Sequence, residues 1–154
     1  MHRLVSGRRL VLGGVTIDYE KGLLGHSDAD VLVHAVCDAL LGAIAAGDIG
    51  DHFPDTDPAY KDADSMNLLK AVREIVAENG YVTGNIDATV FAQKPKISPY
   101  KAEMTKNLAA ALRIDPGCIN VKATTTEKLG PIGRSEGIAA LCTALVCQIQ
   151  KSDA

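Results

Sequence analysis

The chain has 154 residues, the length of one domain, and 16 basic residues against 19 acidic ones leave a net charge of −3. This balance argues against a protein that binds nucleic acid or a charged membrane surface, because such proteins carry a basic patch. The four cysteines form no CxxC pair, and the longest apolar run, 138–147, is half the ~20 residues that cross a bilayer. We therefore expect one cytoplasmic domain over 1–154 with neither a nucleic-acid nor a membrane partner.

The first part of the chain predicts a hairpin followed by a long helix. Residues 10–19 favour two short strands joined at a pair of glycines. Residues 29–46 favour a helix with Ser27 or Asp28 as its N-cap and with Gly47 as its end.

The remainder of the chain alternates between helices and strands. An irregular Gly-, Asp- and Pro-rich loop, 48–64, comes first, and long ordered loops of this kind are usually functional. The last run, 137–149, is apolar and alanine-rich, so its pattern fits a strand or a helix. Strands alternating with helices predict an α/β or α+β layer in which helices pack on a sheet. The other predicted elements are a helix over 64–79, a strand over 81–93, a helix that opens at Ser98-Pro99 with Ser98 as cap, and a strand over 118–126.

Polar residues interrupt the long first helix at intervals of four. Asp30, His34 and Asp38 would stack on one narrow face of an otherwise apolar helix. A thin solvent-exposed stripe would explain them, but imidazole is the commonest transition-metal ligand, and flanking carboxylates can orient its ring. His26 lies just before the helix, where free backbone N–H groups favour anions. The pattern indicates a metal and phosphate site, to which the following loop would add acidic residues: Asp48, Asp51, Asp55 and Asp57.

Two later segments could also contact phosphates. Residues 122–130 place three threonines between lysines and a glutamate, Glu127, which could hold a hard cation such as Mg²⁺. Residues 92–96 carry two lysines at the end of a strand. Threonine-rich strands are common without a function, so the first segment is weak evidence by itself, and a plain surface turn is the favoured explanation of residues 92–96 taken alone.

Four segments in order, YEKGLLGHSDADVLVHAVCDALLGA, GDIGDHFPDTDP, NIDATVFAQKPKISPY and NVKATTTEKLGPIGRSEGIAA, together resemble the 2-C-methyl-D-erythritol 2,4-cyclodiphosphate synthase family. The resemblance implies a mixed β-sheet with helices packed on one side, and it implies that the last apolar run is a strand. It also implies a homotrimer with sheets facing the three-fold axis and active sites at subunit interfaces. The implied activity is the conversion of 4-diphosphocytidyl-2-C-methyl-D-erythritol 2-phosphate into the 2,4-cyclodiphosphate with release of CMP, in the non-mevalonate isoprenoid route.

The same resemblance implies roles for individual residues. His2 and His34 would bind Zn²⁺ or another divalent transition metal, and Glu127 would bind Mg²⁺ or Mn²⁺. His26 and Thr125 would be catalytic through contacts with phosphate. Ser27 would contact substrate phosphate together with His26. The other substrate-binding residues would be Asp48, Ile49, Gly50, Phe53, Pro54, Asp55, Thr56 and Asp57 toward the methylerythritol portion, Ala92, Gln93, Lys94, Pro95, Lys96, Ile97, Ser98, Thr124 and Thr126 toward the cytidine diphosphate, and Arg134 near the three-fold axis.

The sequence departs from the family pattern at its amino end. The family has a strand ending in Asp-x-His, whose aspartate is a third zinc ligand, whereas this sequence opens with Met1-His2. We expect a truncated first strand and a zinc site with two protein ligands, fewer than the usual three. An alternative function follows from this gap: a non-catalytic trimer that binds a cytidine nucleotide or an isoprenoid diphosphate.

Overall fold

A mixed β-sheet forms one layer of the fold. The computed structural model describes residues 1–54, 56–57, 60 and 63–149. The strands are β1 (His2–Ser6), β2 (Leu10–Leu12), β3 (Val15–Ile17), β4 (Lys21–Leu23), β5 (Tyr81–Phe91), β6 (Ile119–Thr124) and β7 (Gly137–Gln148). Five of them form a sheet in the order β4-β1-β7-β5-β6, while β2 and β3 pair separately. Among the described strands, β5 and β6 run parallel and the other pairs are antiparallel.

Helices form the second layer and cover one face of the sheet. They are α1 (Val31–Ala43), α2 (Ile49–His52), α3 (Ser65–Glu78), α4 (Lys101–Leu112) and α5 (Gly130–Gly133), with 3₁₀ turns at Ser98–Tyr100 and Pro116–Cys118. α1 packs against β7 and β5, α3 packs against α1 and β5, and α4 packs against α3 and β6. Among the residues that the structure describes, no helix has both the length and the apolarity that a membrane crossing requires.

The two faces of β7 differ in exposure, as expected for a strand whose side chains alternate between faces. Ala140, Ala144 and Val146 pack against the core. Leu141 and Leu145 point the other way and are 64% and 59% exposed. The central strand of the sheet therefore presents large apolar side chains on the face without helices.

Most elements predicted from the sequence are present. The Gly13-Gly14 pair forms the two-residue turn between β2 and β3, with positive φ at both glycines, as this turn type requires. The ambiguous last run is strand β7, as the resemblance implied. One helix start was predicted wrongly: α4 begins at Lys101 after the 3₁₀ turn, and Ser98 is the first residue of that turn, whose cap position is Ile97.

The prediction of Ser27 or Asp28 as the cap of the first helix is also wrong. Asp30 is the N-cap of α1, and it is fully buried. One carboxylate oxygen accepts from the amides of Leu32 and Val33, and the other accepts from Gly14 N at 2.8 Å. Asp30 therefore joins the hairpin turn to the start of α1, and it does not belong to a solvent-exposed stripe.

Replacing Asp30 by asparagine should destabilise the fold. An amide has one acceptor oxygen where the carboxylate has two, so a buried N–H group loses its partner at a cost of about 1–3 kcal/mol. Urea unfolding would measure this loss, with the exposed Asp18→Asn as the matched control. An Asp30→Asn protein as stable as the control would contradict the role of Asp30 as a buried cap.

The same pair of proteins should differ in how stability depends on pH. Burial raises the pKa of Asp30 to about 7, although backbone donors partly oppose the shift. Because this pKa lies above the unfolded value of about 4, the folded protein binds the proton more tightly. Its stability therefore falls as pH rises from about 4 to 7, and Asp30→Asn removes this effect. The stability advantage of the wild type over Asp30→Asn should be larger at pH 5 than at pH 8, and an equal advantage at both would refute the shift.

Candidate functional site

A cavity of about 510 Å³ opens where the amino ends of β1 and α1 meet the loop after α1. Its walls contain several of the residues predicted to form the metal and phosphate site. The lining residues are His2, Gly25, His26, Ser27, His34, Ile49, Gly50, Phe53, Pro54, Tyr60 and Leu68. We call this the histidine cavity.

Two histidines predicted as metal ligands face each other in this cavity. His2 Nε2 lies 3.1 Å from His34 Nδ1, and the two rings are nearly perpendicular with centroids 5.3 Å apart. His2 is fixed by the pairing of β1 with β7, where a Cβ on Gly137 would come within 2.6 Å of the His2 carbonyl oxygen. A side chain at residue 137 would therefore push the strands apart and displace His2.

The other ring nitrogen of His34 contacts two hydroxyl groups. Nε2 lies 3.0 Å from Ser65 Oγ and 3.3 Å from Ser27 Oγ. The Ser65 hydroxyl in turn donates to a carboxylate oxygen of Asp28. Ser65 is fully buried at the start of α3. Neither Ser65 nor Asp28 behind it was predicted from the sequence, where Asp30 and Asp38 were the carboxylates expected to orient the His34 ring.

The loop before α1 positions His26 by contacts that differ from those expected. The amides of Leu32 and Val33 already bond to Asp30, and Ala29 N bonds to Ser27 Oγ, so these N–H groups are not available to an anion. Arg8 holds the loop by donating to the Ser27 carbonyl at 2.8 Å. Among the described residues, His26 Nε2 is buried and has no hydrogen-bond partner. A polar atom of this kind in a cavity wall is suited to a ligand.

The acidic residues of the loop serve mainly as structural partners. Asp48 and Asp51 form a reciprocal capping box at the start of α2. Asp38 accepts from Ile49 N at 2.9 Å and so fixes α2 against α1. Among the residues that the structure describes, no three His, Cys, Asp or Glu side chains converge as a metal-binding group. Asp48 and Asp51 were expected to add carboxylates to the metal site, but in the structure they stabilise the start of α2.

Thr56 and Asp57 follow in the same loop. Asp57 N donates to the Pro54 carbonyl at 3.0 Å, and neither Asp57 nor Thr56 is among the residues lining the histidine cavity. Asp55 lies outside the described residues.

A second cavity, of about 530 Å³, lies at the carboxyl ends of the parallel strands β5 and β6. The register pairs Phe91 with Thr124, and Ala92 N donates to the Thr124 carbonyl at 3.0 Å. This pairing brings together the two segments that were expected to bind the cytidine diphosphate, 92–98 and 124–126. The lining residues are Tyr19, Ala92, Gln93, Lys94, Pro95, Lys96, Ile97, Ser98, Ala123, Thr124 and Thr125. We call this the strand-end cavity.

The threonine-rich segment turns sharply beside this cavity. The Thr125 hydroxyl donates to Glu127 Oε1 at 2.9 Å, and Glu127 has a positive φ of 50°. Gln93 Oε1 accepts from Lys128 N at 3.1 Å and ties the two loops together. The Thr126 hydroxyl donates to the Leu129 carbonyl, away from the lining. The geometry thus places Glu127 next to Thr125 at the rim.

Arg134 lies outside both cavities. Its Nε donates to Glu136 Oε1 at 2.7 Å, and both side chains are more than half exposed. This ion pair raises the pKa of Arg134 and lowers that of Glu136. The structure therefore does not bring Arg134 together with the other predicted substrate-binding residues.

Comparisons with known proteins agree with this arrangement. The model of the YgbB family matches residues 1–147. A Bacillus subtilis protein named 2-C-methyl-D-erythritol 2,4-cyclodiphosphate synthase is 62% identical over 146 residues, which are 95% of this chain and 92% of that protein.

Solved structures share the fold as well. The Plasmodium falciparum IspF complex with CDP has a TM-score of 0.84 and 35% identity, over 97% of this chain and 92% of that one. The bifunctional IspDF of Campylobacter jejuni has a TM-score of 0.92 and 49% identity, over 96% of this chain but only 40% of its own length. The chain belongs to the YgbB family.

Proposed function

We propose that this protein converts 4-diphosphocytidyl-2-C-methyl-D-erythritol 2-phosphate into 2-C-methyl-D-erythritol 2,4-cyclodiphosphate and CMP. The observation that carries the proposal is the facing pair of His2 and His34 nitrogens, 3.1 Å apart, in a cavity that also contains the His26 nitrogen. Relatives that are 60% and 62% identical carry the name of this synthase. The non-catalytic alternative is not favoured, because such close relatives are named as enzymes.

His2 and His34 fit a divalent transition metal. Two nitrogens bound to a tetrahedral zinc at 2.0–2.1 Å lie about 3.3 Å apart, close to the spacing of His2 Nε2 and His34 Nδ1. Water or substrate oxygens would bind the ion beside these two nitrogens. The pair would hold Zn²⁺ or a related ion in the histidine cavity.

Glu127 fits a hard cation. Mg²⁺ is usually bound through one or two carboxylates together with substrate phosphates and water. Glu127 and the Thr125 hydroxyl offer such oxygens at the rim of the strand-end cavity. When bound, the two cations would polarise the diphosphate and neutralise the charge that develops on the departing CMP.

The side chains of the histidine cavity would bind and orient phosphate. His26 Nε2 would donate to a phosphate oxygen, and the Ser27 backbone is held in place by Arg8. Ile49, Gly50 and Phe53 would enclose the methylerythritol portion beside it. Their contribution is to bring the 2-phosphate toward the β-phosphorus.

The strand-end cavity would hold the cytidine diphosphate. Lys94 and Lys96 are exposed at its mouth and would offset the charge of the diphosphate. Thr125 would orient the β-phosphate by turning its hydroxyl from Glu127 to a phosphate oxygen. Relatives crystallised with CDP support a cytidine nucleotide as ligand.

No protein nucleophile is needed for the reaction. An oxygen of the 2-phosphate attacks the β-phosphorus, the bond from that phosphorus to the CMP oxygen breaks, and CMP departs with the bonding electrons. Such transfers are accelerated mainly by alignment and charge neutralisation. The residues named above supply both, so the proposed reaction matches what the side chains can do.

A homotrimer in the cytoplasm completes the proposal. The two cavities share no lining residue. In the proposed trimer, the histidine cavity of one subunit would meet the strand-end cavity of its neighbour, and the two would form one active site. The exposed Leu141 and Leu145 would face the three-fold axis. An apolar face of this kind on a folded domain is typical of an interaction surface.

Removal of divalent ions should abolish the reaction. After EDTA treatment and desalting, we expect CMP release from the diphosphocytidyl substrate to fall to background, and Zn²⁺ with Mg²⁺ to restore it. As a control, the same ions added to the protein with CDP instead of the substrate should release no CMP. CDP binding by a metal-loaded protein that never turns over the substrate would contradict the proposed function.

A further inference from the structure

A chain of three polar side chains, His34, Ser65 and Asp28, begins at the histidine cavity. Asp28 N donates to the Ala63 carbonyl at 3.1 Å, and Ser65 N donates to the Asp28 carboxylate at 3.1 Å. Asp28 therefore joins the loop before α1 to the first residue of α3. This contact places the Ser65 hydroxyl between Asp28 and His34.

The direction of the hydrogen bonds in this chain is fixed by chemistry. An ionised carboxylate can only accept, and Asp28 also accepts from the amides of Asp30 and Ser65. The Ser65 hydroxyl must therefore give its proton to Asp28. Its oxygen is then left to accept from His34 Nε2, which must carry a hydrogen. His34 Nδ1 consequently keeps its lone pair, and it is Nδ1 that faces His2.

We propose that Asp28 and Ser65 are positioning residues that hold His34 as the Nε2–H tautomer, with the Nδ1 lone pair directed at a metal ion shared with His2. The metal itself rests on the proposed function, whereas the tautomer does not. A carboxylate that acts through a hydroxyl also makes the imidazole a better ligand, because it stabilises positive charge on the ring.

The tautomer can be measured directly in the metal-free protein. Nitrogen-15 NMR distinguishes the two neutral forms of histidine, and the chain has four histidines, of which His34→Asn would identify one signal. We expect the Nε2–H form for His34 in the wild type and a mixture of both forms in Ser65→Ala. A wild-type Nδ1–H form, or an unchanged tautomer in Ser65→Ala, would overturn the proposal.

A matched control separates positioning from helix stability. Asp64 is the N-cap of α3 and accepts from Met66 N at 2.8 Å, but it makes no hydrogen bond in the Asp28–Ser65–His34 chain. Asp64→Ala should cost about 1 kcal/mol of stability, as is usual for a lost cap. It should leave the His34 tautomer as in the wild type. Equal changes in Asp64→Ala and Ser65→Ala would mean that Ser65 has only a structural role.

Zinc affinity supplies the second readout. Competition with a chelator should show Zn²⁺ binding weakened about 10- to 100-fold in Ser65→Ala, the range typical of lost partners behind a metal ligand. Asp64→Ala should bind as the wild type does, and Ser65→Thr, which keeps the hydroxyl, should recover most of the loss. Wild-type affinity in Ser65→Ala would overturn the proposal.

CMP release distinguishes this proposal from the proposed function. Absence of turnover in a wild type that shows the expected tautomer and zinc affinities would refute the reaction but leave the positioning role intact. Normal turnover with an unchanged tautomer in Ser65→Ala would refute the positioning role alone.

Discussion

Replacing His34 by alanine is expected to lower CMP release about 100-fold or more and to remove most of the bound zinc. Lewis-acid stabilisation of a phosphoryl transfer contributes several kcal/mol, and each 1.36 kcal/mol corresponds to a factor of ten in rate. With only His2 left on that side of the cavity, the metal would be lost. Steady-state CMP release and zinc content per chain would measure the two effects.

The matched control for this variant is His52→Ala. His52 lies in α2, where its Nε2 bonds to the Ala46 carbonyl at 2.8 Å, and it lines neither cavity. This variant should keep both zinc and activity. The unfolding midpoint of His34→Ala should stay near that of the wild type, because the ring is only partly buried. Full activity in a folded, zinc-free His34→Ala protein would remove this residue from the mechanism.

Placing charge on the exposed face of β7 is expected to break the assembly and, with it, the activity. In Leu141→Asp combined with Leu145→Asp, two carboxylates would have to be buried without partners at the proposed interface, at a cost of several kcal/mol each. Because those side chains are exposed in the single chain, the subunit itself should still fold. Light scattering should give three times 16.2 kDa for the wild type and the single-chain mass for the variant.

CMP release by the same double variant should fall about 100-fold or more, because neither cavity would meet its complement from a neighbour. A control adds the same two charges to the helical layer: Ala77→Asp combined with Ala110→Asp, both exposed on α3 and α4. This control should keep the mass and the activity of the wild type. A monomeric wild type with full activity would contradict the shared site.

The local features that the sequence predicted well depend on neighbouring residues. The β2–β3 turn follows from Gly13-Gly14, because few other pairs accept two positive φ values. The start of α3 follows from Asp64, an ordinary N-cap before an apolar stripe. The last strand was ambiguous by pattern, since its inward-facing residues are mainly small, and only the family resemblance indicated a strand.

The features that the sequence predicted poorly depend on tertiary contacts. Asp30 matched the spacing of a helix face, but its carboxylate is buried because the hairpin turn at Gly14 packs against it. Asp48 and Asp51 looked like metal ligands, yet they cap a four-residue helix. Ser65 lies 31 positions after His34, and no local pattern connects the two. Short polar residues can act either as helix caps or as metal ligands, and only the tertiary structure shows which role a given residue has.

The facing of His2 and His34 across the cavity was anticipated through the family resemblance alone. His2 is at the start of a strand and His34 is in a helix, so nothing in their spacing brings them together. Strand β1 pairs with β7 and helix α1 packs against β7, and this shared neighbour brings the two histidines together.

The identity of the product tests the central claim most directly. Phosphorus-31 NMR of the substrate incubated with the protein, Zn²⁺ and Mg²⁺ should show two coupled signals of a cyclic diphosphate and one equivalent of CMP. Unchanged substrate would contradict the proposed reaction. CMP accompanied by a linear bisphosphate would contradict it as well, because water and not the 2-phosphate would then be the nucleophile.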